Sequence, residues 1–315
     1  MIDDRPILVA GEALFDLVEA EQGDSLGVHP GGGPFNTART VGRLERPVAY
    51  LGRLSTDRFG RRLESLLADD GVRLDSVVRT DEPTTLALAE VDRAGVARYR
   101  FYIEGTSATG LTPEAALAVL PPAVGILHAG TLGLTLEPTA TALEAVIDRL
   151  AGDALIVLDP NCRPTVIPDA EAYRARLRRL LARTDALKVS EEDLAFIAPD
   201  RTPVEGLREL LDEGPAVGLL TRGPSGALVV TRTAEVAVPS PRTKVVDTIG
   251  AGDAFGGGFV AWWHAQGLSR AELAHIDLAV EAAAFACLVA ARTCARPGAS
   301  PPYLSELEGA FAARS

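Results

Sequence analysis

The sequence predicts an α/β protein built on a central, mainly parallel sheet with helices on both faces, a three-layer α/β/α arrangement. Three observations carry that prediction. The chain has 315 residues, of which 47% are hydrophobic, enough for one large core. Short apolar runs alternate with helix-patterned stretches through the second half. No internal repeat, low-complexity tract or dividing linker interrupts that order, so one domain over residues 1–315 is expected.

Residues 7–11 (Ile-Leu-Val-Ala-Gly) read as a buried strand stopped by glycine. Residues 11–18 then alternate and carry two acids, Glu12 and Asp16. Ligands of open α/β sheets lie outside the carboxyl ends of strands, which makes Asp16 a candidate ligand as well as a candidate surface acid. Residues 30–36 (Pro-Gly-Gly-Gly-Pro-Phe-Asn) form a tight turn with exposed amides, and a helix follows with Ala38, Val41 and Leu44 on one face. Asn36 suits either a helix cap or a polyol, because its amide both donates and accepts. Residues 48–52 are a second strand and 59–67 a short helix. Residues 85–91 and 97–102 flank Asp-Arg-Ala-Gly and predict a hairpin, either a flap over the sheet or an ordinary edge hairpin.

From there the order is regular. Strands are expected at 126–130, 155–159, 186–189 and 217–221, and helices at 140–150, 171–181 and 191–197. A second hairpin spans 228–238, and helices cover 254–266 and 270–290. Residues 244–246 read as an apolar extended run entering a turn at Gly250 and Gly252, after which a helix begins. A helix start aims free N–H groups and a positive dipole end at whatever lies in front of it, an arrangement suited to phosphate. Asp253 lies inside that anion site, where a general base for phosphoryl transfer would stand.

Composition removes several classes. A net charge of −12 argues against nucleic-acid binding. No apolar run reaches membrane-spanning length, and the first residues lack a signal-peptide pattern, so a cytoplasmic protein is expected. Cys162, Cys287 and Cys294 are scattered and read as reduced thiols. The four histidines form no metal spacing, and His128 reads as a satisfied structural residue. There is no Walker loop, and Phe255 stands where a dinucleotide fingerprint needs its third glycine. Five candidate sites each follow an apolar run: Asp16, the 31–36 turn, Asp159 with Asn161 and Arg163, the 221–226 loop, and the 250–253 turn. A doubly wound sheet would gather them at one edge, supplying a polyol pair, a phosphate cation, an anion hole and a base, the parts needed for phosphoryl transfer to a hydroxyl.

These residues resemble the ribokinase-like (PfkB) carbohydrate kinases over nearly the whole chain, through Gly31-Gly32-Gly33-Pro34-Phe35-Asn36 and Asp247-Thr248-Ile249-Gly250-Ala251-Gly252-Asp253. The resemblance implies a ribokinase-like fold with a small β lid from about 12–32 and 84–106. It implies Asp253 as base, anion-hole amides from Gly250, Ala251 and Gly252, and Arg163 at the transferring phosphoryl group. It further implies sugar contacts at Asp16, Gly32, Gly33, Asn36, Tyr102 and Asn161. Thr221-Arg222-Gly223-Pro224-Ser225-Gly226 is similar to the family's nucleotide loop, so Thr221, Gly223 and Gly226, with Lys188 and Ser190, are expected to serve ATP. Asp247 and Ile249, with main-chain groups of 293–298, resemble a monovalent-cation site, for which K+ is the expected ion; Mg2+ is expected with ATP. The family's Asn-x-x-Glu stands here as Ser190-Glu191-Glu192-Asp193, leaving Asp193 as the magnesium-linked acid.

Among members, residues 11–16, 159–164 and 188–192 look like fructokinases. The alternative is a 2-keto-3-deoxygluconate kinase, in which an arginine follows the lid tyrosines; Ile103 follows Tyr102 here, although Arg100 shares a strand face with Tyr102 and could substitute. An inactive sugar-binding protein and a nicotinamide reductase are the readings from other classes. The expected partners are a small-molecule sugar and ATP, with a possible homodimer through the lid.

Overall fold

The computed structural model describes residues 5–19, 25–91 and 97–307. In chain order the strands are β1 (Ile7–Ala10), β2 (Leu14–Glu19), β3 (Leu26–Gly31), β4 (Val48–Ser55), β5 (Val77–Thr80), β6 (Leu86–Val91), β7 (Ala97–Tyr102), β8 (Ile126–Gly130), β9 (Leu155–Asp159), β10 (Ala186–Ser190), β11 (Val217–Thr221), β12 (Ala227–Val230) and β13 (Glu235–Val238). The helices are α1 (Gly33–Arg43), α2 (Arg58–Asp69), α3 (Pro113–Ala118), α4 (Thr139–Leu150), α5 (Ala170–Leu181), α6 (Glu191–Ile197), α7 (Pro203–Asp212), α8 (Ala251–Ala265) and α9 (Ile276–Cys294).

Nine strands form one sheet in the order β13-β12-β11-β10-β9-β8-β1-β4-β5. Every pairing from β11 to β5 is parallel, and β12 and β13 add an antiparallel edge. Strands of this kind are covered on both faces and are apolar throughout. β1 illustrates it: Ile7 and Val9 enter one core with α1, α2, α8 and α9, whereas Leu8 and Ala10 enter the other with α3 to α7. The order reverses direction of growth at β1, whose neighbours are β4 and β8, and that is where a crevice opens beyond the strand ends.

A second, four-stranded sheet runs β3-β2-β6-β7. β2 pairs antiparallel with β3 and parallel with β6, and β6 pairs antiparallel with β7. The register sets its two faces. Asp16, Ala87 and Phe101 are aligned across one row, while Val28, Leu17, Leu88 and Arg100 form the next, pointing the other way. On the inner face Leu14, Ala87 and Phe101 pack with Leu132, which holds this small sheet over the end of β8.

Several local expectations change. Residues 244–246 are not a strand: Val245 and Val246 are more than half exposed in a loop tied by the amides of Val246 and Asp247 to the Cys294 carbonyl (2.8 and 3.2 Å). Asn36 is no cap; Gly32 takes that position with φ of 104°, and Asn36 lies inside the first turn of α1. The stretch 270–290 is not one helix, because a 3-10 turn (Arg270–Ala274) ends at His275 before α9 starts. The hairpin's turn at 92–95 lies outside the described residues.

Candidate active site

Two cavities meet at the N-terminus of α8. The first, ≈ 470 Å³, is roofed by Asp16 and Phe101 of the small sheet and floored by Asn36, Asn161, Lys188, Gly252 and Asp253. The second, ≈ 580 Å³, lies between the 221–226 loop, residues 240–245 and the α9 face carrying Cys287, Ala290, Ala291 and Cys294. Thr248 and Gly252 line both.

The meeting point follows from local backbone chemistry. Gly250, in the left-handed region (φ 76°), caps α8 without any side-chain cap, so the helix's first donors stay open. A β-carbon at Gly250 would lie 2.6 Å from that of Ala299. Of the three expected anion-hole residues, Ala251 turns its amide back to the Thr248 carbonyl (3.2 Å), Gly250 lines the first cavity and Gly252 lines both. Gly252 also borders a cation: a β-carbon there would come within 3.1 Å of Lys188 Nζ. Lys188 is buried in the middle of β10 and pairs with Asp159 Oδ2 at 2.8 Å. Its charge and the helix dipole act on the same point.

Asp253 is buried in the first turn of α8 and accepts a hydrogen bond from Asn36 Nδ2 (2.8 Å). Burial raises its pKa, opposed by the Asn36 bond and by Lys188 and Arg163. Asp16 faces it from β2; burial and the charge of Asp253 push its carboxyl up to about 6, against the pull of Arg163. Arg163, exposed at the cavity, acts on both acids through its charge, with its guanidinium fixed by the Asn161 side-chain oxygen (2.7 Å) and the Cys162 carbonyl (3.1 Å). Asn161 itself holds φ at 40°, a conformation that asparagine tolerates better than most residues. Gly33 fits only because it is glycine: a β-carbon would press on Thr131 Cγ2 at 2.5 Å and Asp253 Oδ1 at 3.2 Å.

Four expected site residues are outside the lining of both cavities. Tyr102 is 49% exposed and absent from the lining; the period-2 strand sends Phe101 inward instead. Ser190 and Asp193 form the capping box of α6, and Asp193 is consumed by it, accepting from Ser190 N (2.8 Å), Ser190 Oγ (2.8 Å) and Cys162 N (2.6 Å). It braces the loop that carries Arg163. Asp247 stands behind the anion site, where Oδ1 accepts from Ile249 N (3.0 Å) and Oδ2 from Gly298 N (2.8 Å), with Ile249 at the cavity edge. Asp16, Gly32, Gly33, Asn36, Asn161, Arg163, Lys188, Gly250, Gly252 and Asp253 do come together around the first cavity, and Thr221, Gly223, Gly226 and Ala251 around the second.

The sequence reading passed over Glu12, Phe101, Thr131, Leu132 and Thr248. Glu12 was legible as the acid next to a strand end. Buried, with its carboxyl raised to about 7 by desolvation, it accepts from Gly33 N (3.2 Å), Gly133 N (3.1 Å) and Thr131 Oγ1, tying three segments together under the first cavity. His128 is not satisfied: buried against Gly256, it has no hydrogen-bond partner on either ring nitrogen among the described residues, and burial beside Lys188 lowers its pKa to about 3.

A buried carboxylate facing a polar cavity, with a helix start between that cavity and a second one, matches what the whole sequence is similar to. The profile of the pfkB family carbohydrate kinase spans residues 4–306. The chain belongs to that family. A fructokinase of Rhizobium leguminosarum bv. trifolii is 36% identical over 260 residues, covering 81% of this chain and 78% of that protein. A fructokinase of Klebsiella pneumoniae is 35% identical over 316 residues, covering 96% and 98%. Among solved structures, a fructokinase with bound ATP from Xylella fastidiosa superposes with a TM-score of 0.88 at 29% identity over 97% of each chain. The protein is a carbohydrate kinase with the ribokinase-like three-layer fold.

Proposed function

We propose that this kinase transfers the γ-phosphoryl group of ATP to D-fructose, giving fructose 6-phosphate. The observation that carries the proposal is the junction of the two cavities at Gly252, with Asp253 on the side of the polar one. Fructose occupies the first cavity, its hydroxyls donating to Asp16 and pairing with Asn36 and Asn161. ATP occupies the second, with its terminal phosphate directed at the start of α8. Asp253 accepts the proton of the attacking hydroxyl, the Gly252 amide and Lys188 stabilise the transferring oxygens, and Arg163 balances the charge between the two acids. A neutral sugar suits this cavity better than a 2-keto-3-deoxy acid, whose carboxylate would enter beside the buried acids Asp16 and Asp253.

Magnesium travels with the nucleotide in this reading, held by phosphate oxygens and water. Asp193 is turned away from direct ligation, with Oδ2 in the α6 cap and Oδ1 on the Cys162 amide, and it lines neither cavity. In this reading a potassium ion binds behind Asp247, whose Oδ1 and Oδ2 each accept one main-chain amide and keep a lone pair. When bound it would supply positive charge beneath the anion site. The small sheet acts as a lid of the single catalytic domain. Its outer face carries Leu26 (50% exposed), Val28 (41%) and Tyr102 (49%), an apolar surface that supports pairing of two lids in a homodimer.

A screen of nucleotide release over fructose, ribose, glucose, 2-keto-3-deoxygluconate and nucleosides tests the assignment. Fructose should give the highest kcat/KM, with phosphate on C6 by phosphorus-coupled NMR. A higher value for the sugar acid would overturn it.

A further inference from the structure

Glu12 is a buried carboxylate that phosphoryl transfer does not use. It is 3% exposed, and its three partners, Gly33 N, Gly133 N and Thr131 Oγ1, are all uncharged. A carboxyl in such surroundings is costly unless its acceptor capacity is needed there. Oε1 takes the Gly33 amide (3.2 Å) and the Thr131 hydroxyl, and Oε2 takes the Gly133 amide (3.1 Å).

These partners lie where the chain passes between the two sheets. Glu12 is in the passage from β1 to β2, and Gly33 ends the passage from β3 to α1. The two passages touch: a β-carbon at Gly32 would lie 2.7 Å from the Glu12 carbonyl oxygen. Thr131 and Gly133 flank Leu132 in the turn after β8. Leu132 is the buried residue against which Leu14, Ala87 and Phe101 of the small sheet pack. One carboxylate therefore holds both attachments of the β2–β3 hairpin and both neighbours of the residue on which the small sheet rests.

Thr131 shows that this arrangement is imposed. Its φ is 58°, a left-handed conformation that a β-branched residue keeps only where its surroundings force it. Both branches of its side chain are committed. The hydroxyl donates to Glu12, and the methyl fills the space beside Gly33, where a β-carbon would come within 2.5 Å of it. Glu12, Gly33, Thr131 and Leu132 line the first cavity, and neither they nor Gly133 line the second.

We propose that Glu12 is the positioning residue of the small sheet: it fixes that sheet's seat over the first cavity, and so sets sugar affinity and the suppression of hydrolysis while leaving nucleotide binding alone. The inference rests on the assignment of the first cavity to the sugar. An acceptor at both carboxylate positions is the requirement. In Glu12→Gln one position becomes NH2, so one main-chain amide faces a donor. A buried donor left without an acceptor loses more than a hydrogen bond exchanged with water.

The experiment compares the wild type with Glu12→Gln and with Thr131→Val, which removes the hydroxyl and keeps the branched shape. It measures amide hydrogen exchange strand by strand, calorimetric binding of fructose and of ADP, and nucleotide release with and without fructose. In Glu12→Gln the amides of β2, β6 and β7 should exchange at least about tenfold faster, with those of β9, β10 and β11 within about twofold of wild type. Fructose affinity should fall about tenfold with ADP affinity within about twofold, and hydrolysis relative to phosphorylation should rise about tenfold. Thr131→Val should move the same quantities in the same directions by about threefold or more, and it decides alone if Glu12→Gln does not fold. Unchanged exchange in the small sheet, equal acceleration in both sheets, or equal losses of fructose and ADP binding would overturn the assignment, since Glu12 would then only hold the fold. If the wild type neither binds nor phosphorylates fructose, the sugar reading fails, and the exchange pattern still decides the role of Glu12.

Discussion

Asp253 and Asp16 sit in one polar cavity with different surroundings, and their chemistry divides accordingly. Asp253 is oriented by Asn36 at 2.8 Å and faces the end of the helix dipole and Lys188. Replacing it with Asn keeps the shape and removes the proton acceptor. Asp253→Asn should lower kcat by about 10²- to 10⁴-fold, with fructose affinity by calorimetry within a few-fold of wild type. Turnover at the wild-type rate would reject it as the base. Asp16 is an acid whose titration moves into the accessible pH range. Its carboxyl is raised from 3.8 to about 6, so in its proposed role it would accept from sugar hydroxyls above that value and lose this capacity as pH falls through it. The expected profile is kcat/KM for fructose flat above pH 6 and falling by about tenfold per unit below it. In Asp16→Asn that inflection should vanish together with most sugar affinity. The residues legible in the sequence were those tied to a turn or a strand end. Phe101 was missed because alternation inside β7 says that neighbours face opposite ways, and only the pairing of Phe101 with Ala87 and of Ala87 with Asp16 says which way faces the cavity.

At the scale of elements, the start of α8 is the part with least freedom to change. Gly250 combines a left-handed backbone with contact against Ala299. Gly250→Ala should cost about 1–3 kcal/mol of stability in denaturant unfolding, and it should reduce kcat more than the fructose KM changes, because the displaced turn carries the Gly252 donor and Asp253 together. A mutant with wild-type kcat would show that the turn tolerates displacement. The same turn was read from the sequence as the end of a strand. Apolar valines at 245 and 246 do suggest one, but a strand needs a neighbour with open hydrogen bonds, and the residues pair instead with a single carbonyl at the end of α9. Ser190 and Asp193 carry the opposite lesson. Four residues of local sequence suffice for a capping box, and that local use has taken the acid that resemblance linked to magnesium.

For the whole molecule, the small sheet over the first cavity is the element proposed to separate phosphoryl transfer from hydrolysis. The roof over the first cavity is formed by β2 and β7 through Asp16 and Phe101, and fructose would complete its contacts with them. ATP hydrolysis without sugar should therefore run at least about a hundredfold slower than phosphorylation at saturating fructose, measured as nucleotide release with and without the sugar. Comparable rates would remove the small sheet's role in excluding water.

The sequence by itself determined the class of fold, the order of most elements, the two glycine-rich turns and the acid among them. Those features depend on neighbours a few residues away, through periodicity, glycine conformation and helix starts. Only the tertiary structure decided which side of each strand faces the cavity, which acids remain available after local hydrogen bonding, and that Thr248 and Gly252 border two cavities at once. Those outcomes come from registers and packing between segments more than a hundred residues apart, such as Asn36 with Asp253 and Glu12 with Gly133, and no local pattern encodes them.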